Sequence, residues 1–317
     1  MTKLNERQII KIFQNKFRGK NFVSEDVEIF NLGKTNCIIN IDTLVESTDI
    51  PPHTKISDAA RKSLVACTSD FAAKGIKPLF GVISLTVPKN YSKSKIVELS
   101  KGIRKASKEF DVKILGGDTN EGKELVIQVC LIGFGDKIVR RKGANNGDVV
   151  FTTGYYGYSA AGLKILLERK RADKIFTKKA KSATLRPKSR LKFGLKVKNY
   201  LSSSMDSSDG LSTTLNELSR QSKRRFVITK IPSNSDLLEF ANSNKLNVYD
   251  LILNGGEEYE IVFTCSQKNK TKITNLARKL RIPLNEIGYV TKGFGVIFLH
   301  KGKTFRIKDS GWQHFGS

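Results

Sequence analysis

Aspartates set among glycine, serine and threonine are the residues of this chain whose types and spacing could do chemistry. Three stretches show an acid among such neighbours: Gly116-Gly117-Asp118-Thr119, Ser207-Ser208-Asp209-Gly210 and Asn254-Gly255-Gly256-Glu257-Glu258-Tyr259-Glu260. Each reads as a turn in which small side chains let the backbone approach a ligand while the carboxylate holds a hard cation through oxygen. Asp42, Asp70 and Asp206, with Glu25 and Asp26 upstream, add acids at or beside the ends of expected elements. A single Asp in a turn usually serves the turn. Their joint occurrence fits a site with more than one Mg²⁺, each ion taking one or two carboxylates plus phosphate oxygens. The chain keeps these acids although its formal net charge is +26, so handling of a polyphosphate through Mg²⁺ is the chemistry they suggest.

Other chemistries have little to work with. Three histidines are present, His53, His300 and His314, which leaves few partners for zinc or Ser-His-Asp schemes; each is expected on the surface or in a turn. The Gly-Lys-Thr triplets at Gly33 and Gly302 miss the leading glycine of a P-loop, which would fall on Glu28 and Ile297. Gly133-Phe134-Gly135 and Gly293-Phe294-Gly295 lack the third glycine of a dinucleotide fingerprint. Cys37, Cys67, Cys130 and Cys265 lie far apart and read as small core hydrophobes.

The acids need elements to hold them. Helical spacing of Ile9, Ile10, Ile12, Phe13 and Phe17 opens the chain, and 37–42 reads as a strand ending on Asp42. A helix capped by Ser57 runs to about Lys74 and puts Asp70 near its C-terminal end, the unfavourable end for a negative charge. The plain expectation is an exposed acid that tolerates the dipole; a nearby cation would remove the penalty. A strand at 80–87, a helix at 92–110, a strand at 112–115 entering the Gly-Gly-Asp turn and a strand at 125–133 complete the first half. After the polar link 140–148 come a strand at 149–151, a helix at 159–169, a helix at 211–221 behind the Ser-Ser-Asp-Gly turn, a strand at 260–264, a helix at 269–280 and strands near Ile287 and Val296. This alternation predicts an α/β (α+β) fold in two domains, 1–145 and 146–317.

Fifty-six Lys and Arg against 30 Asp and Glu invite a nucleic-acid reading. The densest stretch, 169–198, holds thirteen basic residues and one acid, Asp173. Lysine outnumbers arginine there, and its aromatics, Phe176 and Phe193, are too sparse for a stacking surface. Solvated helix faces are the expected reading, and nucleic acid is not the expected partner. No apolar run approaches the ~20 residues of a membrane span. Residues 1–7 lack the basic-then-apolar layout of a leader, so the cytoplasm is the expected compartment.

Taken in order, these motifs resemble the thiamine-monophosphate kinase family of the PurM-like (AIR synthase-like) ATP-binding superfamily. The resemblance rests on Ile41-Asp42-Thr43-Leu44-Val45, Ser69-Asp70-Phe71-Ala72-Ala73-Lys74-Gly75, Leu115-Gly116-Gly117-Asp118-Thr119 and Arg141-Lys142-Gly143-Ala144. It continues through Met205-Asp206-Ser207-Ser208-Asp209-Gly210-Leu211, Gly255-Gly256-Glu257-Glu258-Tyr259-Glu260 and Gly311-Trp312-Gln313-His314-Phe315. It implies an N-terminal sheet domain that pairs with its twin in a homodimer, and a C-terminal α/β domain, with ATP and Mg²⁺ held between. By position it implies Asp26, Asp42, Asp70, Asp118, Asp206 and Asp209 as Mg²⁺ ligands. Gly117, Asp118, Arg141 and Ser208 would contact ATP, and Glu257 and Trp312 the substrate. Asp49 stands where some relatives carry a substrate-facing His, and is placed with them. The family's Gly-Asp-Asp is here Ser24-Glu25-Asp26, its Ser/Thr pair before Asp-Thr-Leu is Asn40-Ile41, and its Gly-Gly-Glu-Asp-Tyr is Gly-Gly-Glu-Glu-Tyr. The implied reaction passes the γ-phosphoryl of ATP to the phosphate of thiamine monophosphate, and an already anionic acceptor needs no general base. Another ATP-using member of the superfamily, such as aminoimidazole ribotide synthase or selenophosphate synthase, is the second enzymatic reading. A non-catalytic nucleic-acid-binding relative is the alternative from another class.

Overall fold

The computed structural model describes residues 4–17 and 23–315; residues 1–3, where the leader reading begins, and 18–22, past the opening helix, lie outside them. Helix α1 (Glu6–Phe17) is followed by a mixed five-stranded sheet of β1 (Glu28–Leu32), β2 (Thr35–Val45), β3 (Pro78–Pro88), β4 (Lys113–Gly122) and β5 (Val126–Phe134), in the order β1-β2-β5-β3-β4. Between β2 and β4 run α2 (Glu46–Asp49), α3 (Ile56–Lys74) and α4 (Lys93–Phe110). The second half contributes β6 (Val149–Thr153), α5 (Tyr158–Leu167), α6 (Lys174–Leu185), α7 (Leu191–Val197), β7 (Ser203–Ser207), α8 (Leu211–Ser222), β8 (Arg225–Ile228), α9 (Ser235–Ser243) and α10 (Val248–Leu253). It closes with β9 (Glu260–Cys265), α11 (Gln267–Lys279), β10 (Leu284–Thr291), β11 (Val296–His300) and β12 (Lys303–Arg306). Its seven strands order as β12-β11-β8-β10-β6-β9-β7. Among the described residues no helix is long and apolar enough to cross a membrane.

Helix α3 is the element that positions the site. Leu64, Cys67, Phe71 and Ala72 are buried, and so are the polar Ser63, Thr68 and Ser69 of its other faces. A helix buried nearly all round needs neighbours on every side. It has them: β2 and β5 of the first sheet, β7 and β9 of the second, α4 and α7. The core around it therefore joins Ile38, Leu64, Phe71 and Leu131 with Phe151, Phe193 and Phe263, crossing residue 145. A second core lies in the later half, around Tyr156, Leu215, Phe226 and Val262, with Ala144 as its one buried member from before residue 146.

Local details depart from the sequence-based expectations in four places. Helix α3 starts at Ile56 behind Lys55, so Ser57 is not its cap; the Ser57 hydroxyl donates instead to Glu98 Oε1 of α4 at 3.1 Å. Strand β2 runs on to Val45, which puts Asp42 in mid-strand and not at its end, because Asp42 pairs with Val129 of β5 within an unbroken ladder. Gly116-Gly117-Asp118-Thr119 is not a turn but part of β4, which pairs in parallel with β3: Ile83 stands opposite Gly117 and Ser84 opposite Asp118. Ladder hydrogen bonds outweigh the weak strand propensity of Gly and Asp, and a Cβ on Gly117 would collide with the Ile83 carbonyl. Lastly, Ser203–Ser207 forms a wholly buried strand despite its polar sequence, since β9 satisfies its backbone and Ser203 shares a hydroxyl bond with Thr264 at 2.8 Å.

The basic stretch 169–198 folds into α6 and α7, and its two aromatics are core residues, Phe176 at 3% and Phe193 at 0% exposure. Several of its cations are already paired: Lys179 with Asp236, Arg186 with Asp58 and Arg190 with Glu260.

Candidate active site

Five acids converge because five separate segments deliver them. In β2, alternation turns Asn40, Asp42 and Leu44 toward α3 while Ile41, 62% exposed, faces away. Asp70 lies one turn from the end of α3, Asp206 on β7, Asp209 in the loop behind β7, and Asp26 just ahead of β1. Carboxylate oxygens of Asp26, Asp70 and Asp206 come within 4.8 Å of one another. The Asn40 amide joins Asp42 to them, donating to Asp70 Oδ2 at 2.5 Å and to Asp42 Oδ2 at 3.2 Å. Ser69 donates to Asp206 Oδ2 at 2.8 Å, and Ser208 to Asp209 Oδ1 at 3.2 Å.

Such crowding costs free energy unless charge is removed or balanced. Burial pushes the Asp206 carboxyl up to about 7, helped by Asp26, and pushes Asp42 up to about 6. Asp70 is raised well above the ordinary range by burial and by Asp206, Asp42 and Asp26 around it. Asp209 is raised too, by burial and then by Glu6. Asp26 is the exception: burial pushes it up, but Arg141 and Lys74 outweigh that and leave it lowered. A group of oxygen donors that repel one another is what a hard divalent cation satisfies, and the donor set therefore fits Mg²⁺.

Beside the acids opens a cleft of about 440 Å³, lined by Asp42, Asp70, Asp206 and Asp209 on one side and by Asp49, Glu257, Trp312 and His314 on another. Three segments are stitched together along it. The N–H of Glu257 donates to the Ser208 carbonyl at 2.5 Å, that of Tyr259 to Ser207 at 3.0 Å, and that of Trp312 to Asp209 at 2.8 Å. To make these bonds Glu257 and Tyr259 adopt positive φ, 62° and 52°, a backbone state that side-chain-bearing residues rarely hold without need. Glu258, the residue between them, points elsewhere. Its carboxylate accepts from the N–H of Gly157 at 2.7 Å and of Ser159 at 3.3 Å, capping α5. Burial pushes it up to about 8.

Of the sequence-derived candidates, the cleft lining includes Asp42, Asp49, Asp70, Asp206, Ser208, Asp209, Glu257 and Trp312 but not Asp26, Gly117, Asp118 or Arg141. Gly117 and Asp118 stand on the exposed edge strand β4, where Asn120 donates to Asp118 at 3.2 Å. Arg141 reaches the acids from behind, its Nε donating to Asp26 Oδ1 at 2.7 Å and its Nη1 to Ser24 at 3.1 Å. Sequence reasoning missed Lys62, a buried residue that is the one Lys or Arg lining the cleft among the described residues. Its Nζ donates to the Asp49 carbonyl at 3.0 Å and is ion-paired with Glu257. The available signal was helical: Ser63, Ala66 and Asp70 recur along one face of α3 with Lys62 beside them. His314, expected as a surface residue, is exposed and lines the cleft edge-on to Trp312, with ring centroids 6.2 Å apart.

A family model for AIR synthase related protein, N-terminal domain, matches residues 24–135. The thiamine-monophosphate kinase of Nitrosopumilus maritimus is 56% identical over 315 residues, covering 99% of this chain and all of that protein. That of Pyrococcus horikoshii is 34% identical, covering 99% and 97%. Among solved structures, AaThiL complexed with AMPPCP and TMP superposes with a TM-score of 0.88 at 26% identity, over 99% of this chain and 98% of that one.

Proposed function

The chain belongs to the thiamine-monophosphate kinase family, and from that premise we propose that it transfers the γ-phosphoryl of ATP to the phosphate oxygen of thiamine monophosphate, releasing ADP and thiamine diphosphate. The observation that carries the reading is the approach of Asp70 and Asp206 to within 4.8 Å of each other, in a cleft that also holds Asp42, Asp209 and Lys62. The bond formed is from acceptor oxygen to γ-phosphorus, the bond broken is from γ-phosphorus to the bridging oxygen, and no proton need be removed from the acceptor. The obstacle is repulsion between two anions that must be brought into line. Asp42, Asp70, Asp206 and Asp209 would hold Mg²⁺, which when bound supplies the positive charge that screens the polyphosphate.

The remaining groups bind and orient. Lys62 offers a directed ammonium to a phosphate in the cleft, at the expense of its bond to Glu257. Trp312, 58% exposed at the rim, presents an indole face on which an aminopyrimidine can stack, and Glu257 and Asp49 flank it on the substrate side. Ser208 has its hydroxyl on Asp209 and its carbonyl on Glu257, so it ties the ATP side to the substrate side. Arg141, already held by Asp26 and Ser24, would act on ATP through its field.

A homodimer is part of the reading. The face of the first sheet that α3 and α4 do not cover carries Ile41, Cys130 and Val82 side by side across β2, β5 and β3, with Leu115 on the neighbouring β4, 57% exposed. An apolar stripe of this kind suits a second copy of the same sheet. Gly117 and Asp118 lie on that exposed edge, so their proposed contacts with ATP and Mg²⁺ depend on the dimer. The 1–145 and 146–317 division, and location in the cytoplasm, belong to the same proposal. The deciding experiment incubates purified protein with ATP, Mg²⁺ and thiamine monophosphate and looks for thiamine diphosphate by mass spectrometry. Product that disappears with EDTA is the expected result. ATP binding by folded protein without product would shift the reading to another activity of the superfamily.

A further inference from the structure

Behind the cleft, Glu25 and Asp26 sit in an arrangement of their own, closed by cations of the chain itself. Lys74, the last residue of α3, is 0% exposed. Its Nζ lies 2.7 Å from Glu25 Oε2, 2.7 Å from Asp26 Oδ2 and 3.1 Å from the Ser204 carbonyl. Arg141 takes the other oxygen of Asp26 through Nε at 2.7 Å and through Nη2, and its backbone N–H donates to Glu25 Oε2 at 3.2 Å. Two carboxylates thus face two fixed cations in a closed, buried group. A lysine withdrawn from water demands such partners.

The acids on the cleft side are served differently. Asp42 and Asp70 receive the Asn40 amide, and Asp206 receives the Ser69 hydroxyl. Among the described residues no Lys or Arg is ion-paired with any of the three. The acid cluster therefore has a half whose charge the chain balances itself and a half left for cations from solution.

We propose that Lys74 is a built-in counterion that occupies the place of a metal ion at Glu25 and Asp26, confining bound divalent cations to the Asp42, Asp70 and Asp206 side. This rests on reading the cleft acids as a metal site. It makes Lys74 and Arg141 positioning residues that hold the 24–26 segment against α3 without a metal, and it requires Asp26 to be dispensable for metal binding.

The test counts Mn²⁺ bound in the presence of a non-hydrolysable ATP analogue, from the electron paramagnetic resonance signal of the free ion. Asp26→Asn should bind as many Mn²⁺ as the wild type, and Asp70→Asn fewer. Lys74→Met should bind one ion more than the wild type, and Mn²⁺ should raise its melting temperature by about 5 °C or more beyond the rise in wild type. Lys74→Arg should keep the wild-type count. Loss of an ion in Asp26→Asn, or an unchanged count in a folded Lys74→Met, overturns the proposal while leaving the cleft's metal reading intact. If Lys74→Met does not fold, the contrast between Asp26→Asn and Asp70→Asn decides. A wild type that binds no Mn²⁺ overturns both.

Discussion

Asp206 shows at the scale of one residue how function is held against stability. Its carboxyl is raised from 3.8 to about 7, so between about pH 4 and 7 the folded, metal-free protein holds more of a proton than the unfolded chain does. The sign follows from linkage: where the native state binds more protons, stability falls as pH rises, here between about 4 and 7. Asp206→Asn is therefore expected to stabilise the metal-free protein by roughly 2–4 kcal/mol at pH 8, with the gain vanishing at pH 4, while turnover drops by at least about 100-fold. Urea titrations of both proteins at the two pH values check the first part; equal stability at pH 8 would contradict it. Lys62 belongs to the same scale with the opposite charge. Lys62→Gln should lower kcat/KM for thiamine monophosphate by about 10- to 100-fold, the worth of one charge-assisted hydrogen bond. Steady-state kinetics with unchanged circular dichroism would show it, and an unaltered kcat/KM would remove Lys62 from the site.

Helix α3 does at the scale of elements what no single residue can. It presents Asp70 to β2 and β7 together, and its burial on nearly all faces leaves it little freedom to shift. Its crossing with α4 depends on a glycine: a Cβ on Gly102 would collide with the Ser57 carbonyl and press on Ala60. Gly102→Ala is expected to cost about 1–3 kcal/mol through forced separation of the two helices, although alanine is the better helix former. A denaturation midpoint equal to that of wild type would show that the crossing can relax. Much of this element level was legible beforehand. The long periodic helices of the first half and the apolar strands followed from spacing alone. Several elements of the second half escaped, among them α6, α7 and α9; the strand made of Ser203–Ser207 and the strand character of Gly116–Thr119 escaped because both are held by pairing with neighbours distant in sequence and not by local propensity.

For the molecule as a whole, charge and shape divide the labour. The net charge of +26 favours the approach of anionic substrates from a distance, while Asp42, Asp70 and Asp206 line the cleft as oxygen donors for bound cations. The uncovered face of the first sheet is an apolar surface of consequence. Ile41→Asp, which points away from the cleft, is expected to convert a dimer into monomers in light scattering coupled to size exclusion. A wild type that elutes as a monomer would rule out dimerisation through this face. If the dimer brings Asp118 into play, the same variant should also lose activity with its fold preserved.

The amino-acid order by itself determined the types of chemistry available. Acids among small residues, few histidines and no P-loop left handling of a polyphosphate through Mg²⁺ as the consistent reading, since donor chemistry is a property of residue type; the transfer reaction itself came from the resemblance of the ordered motifs to a known family. It also named most of the acids now found around the cleft, because a motif keeps its acid wherever the chain is led. Tertiary structure alone decided which acids share a cluster and which do not. Asp118 stays on an outer edge while Asp26 turns inward to Lys74, and Lys62, one lysine among many, becomes the cation of the cleft. The physical reason is distance. Coulomb and hydrogen-bond energies depend on separations of a few ångströms in a poorly screened interior, and those separations are set by the packing of α3 between two sheets rather than by position along the chain.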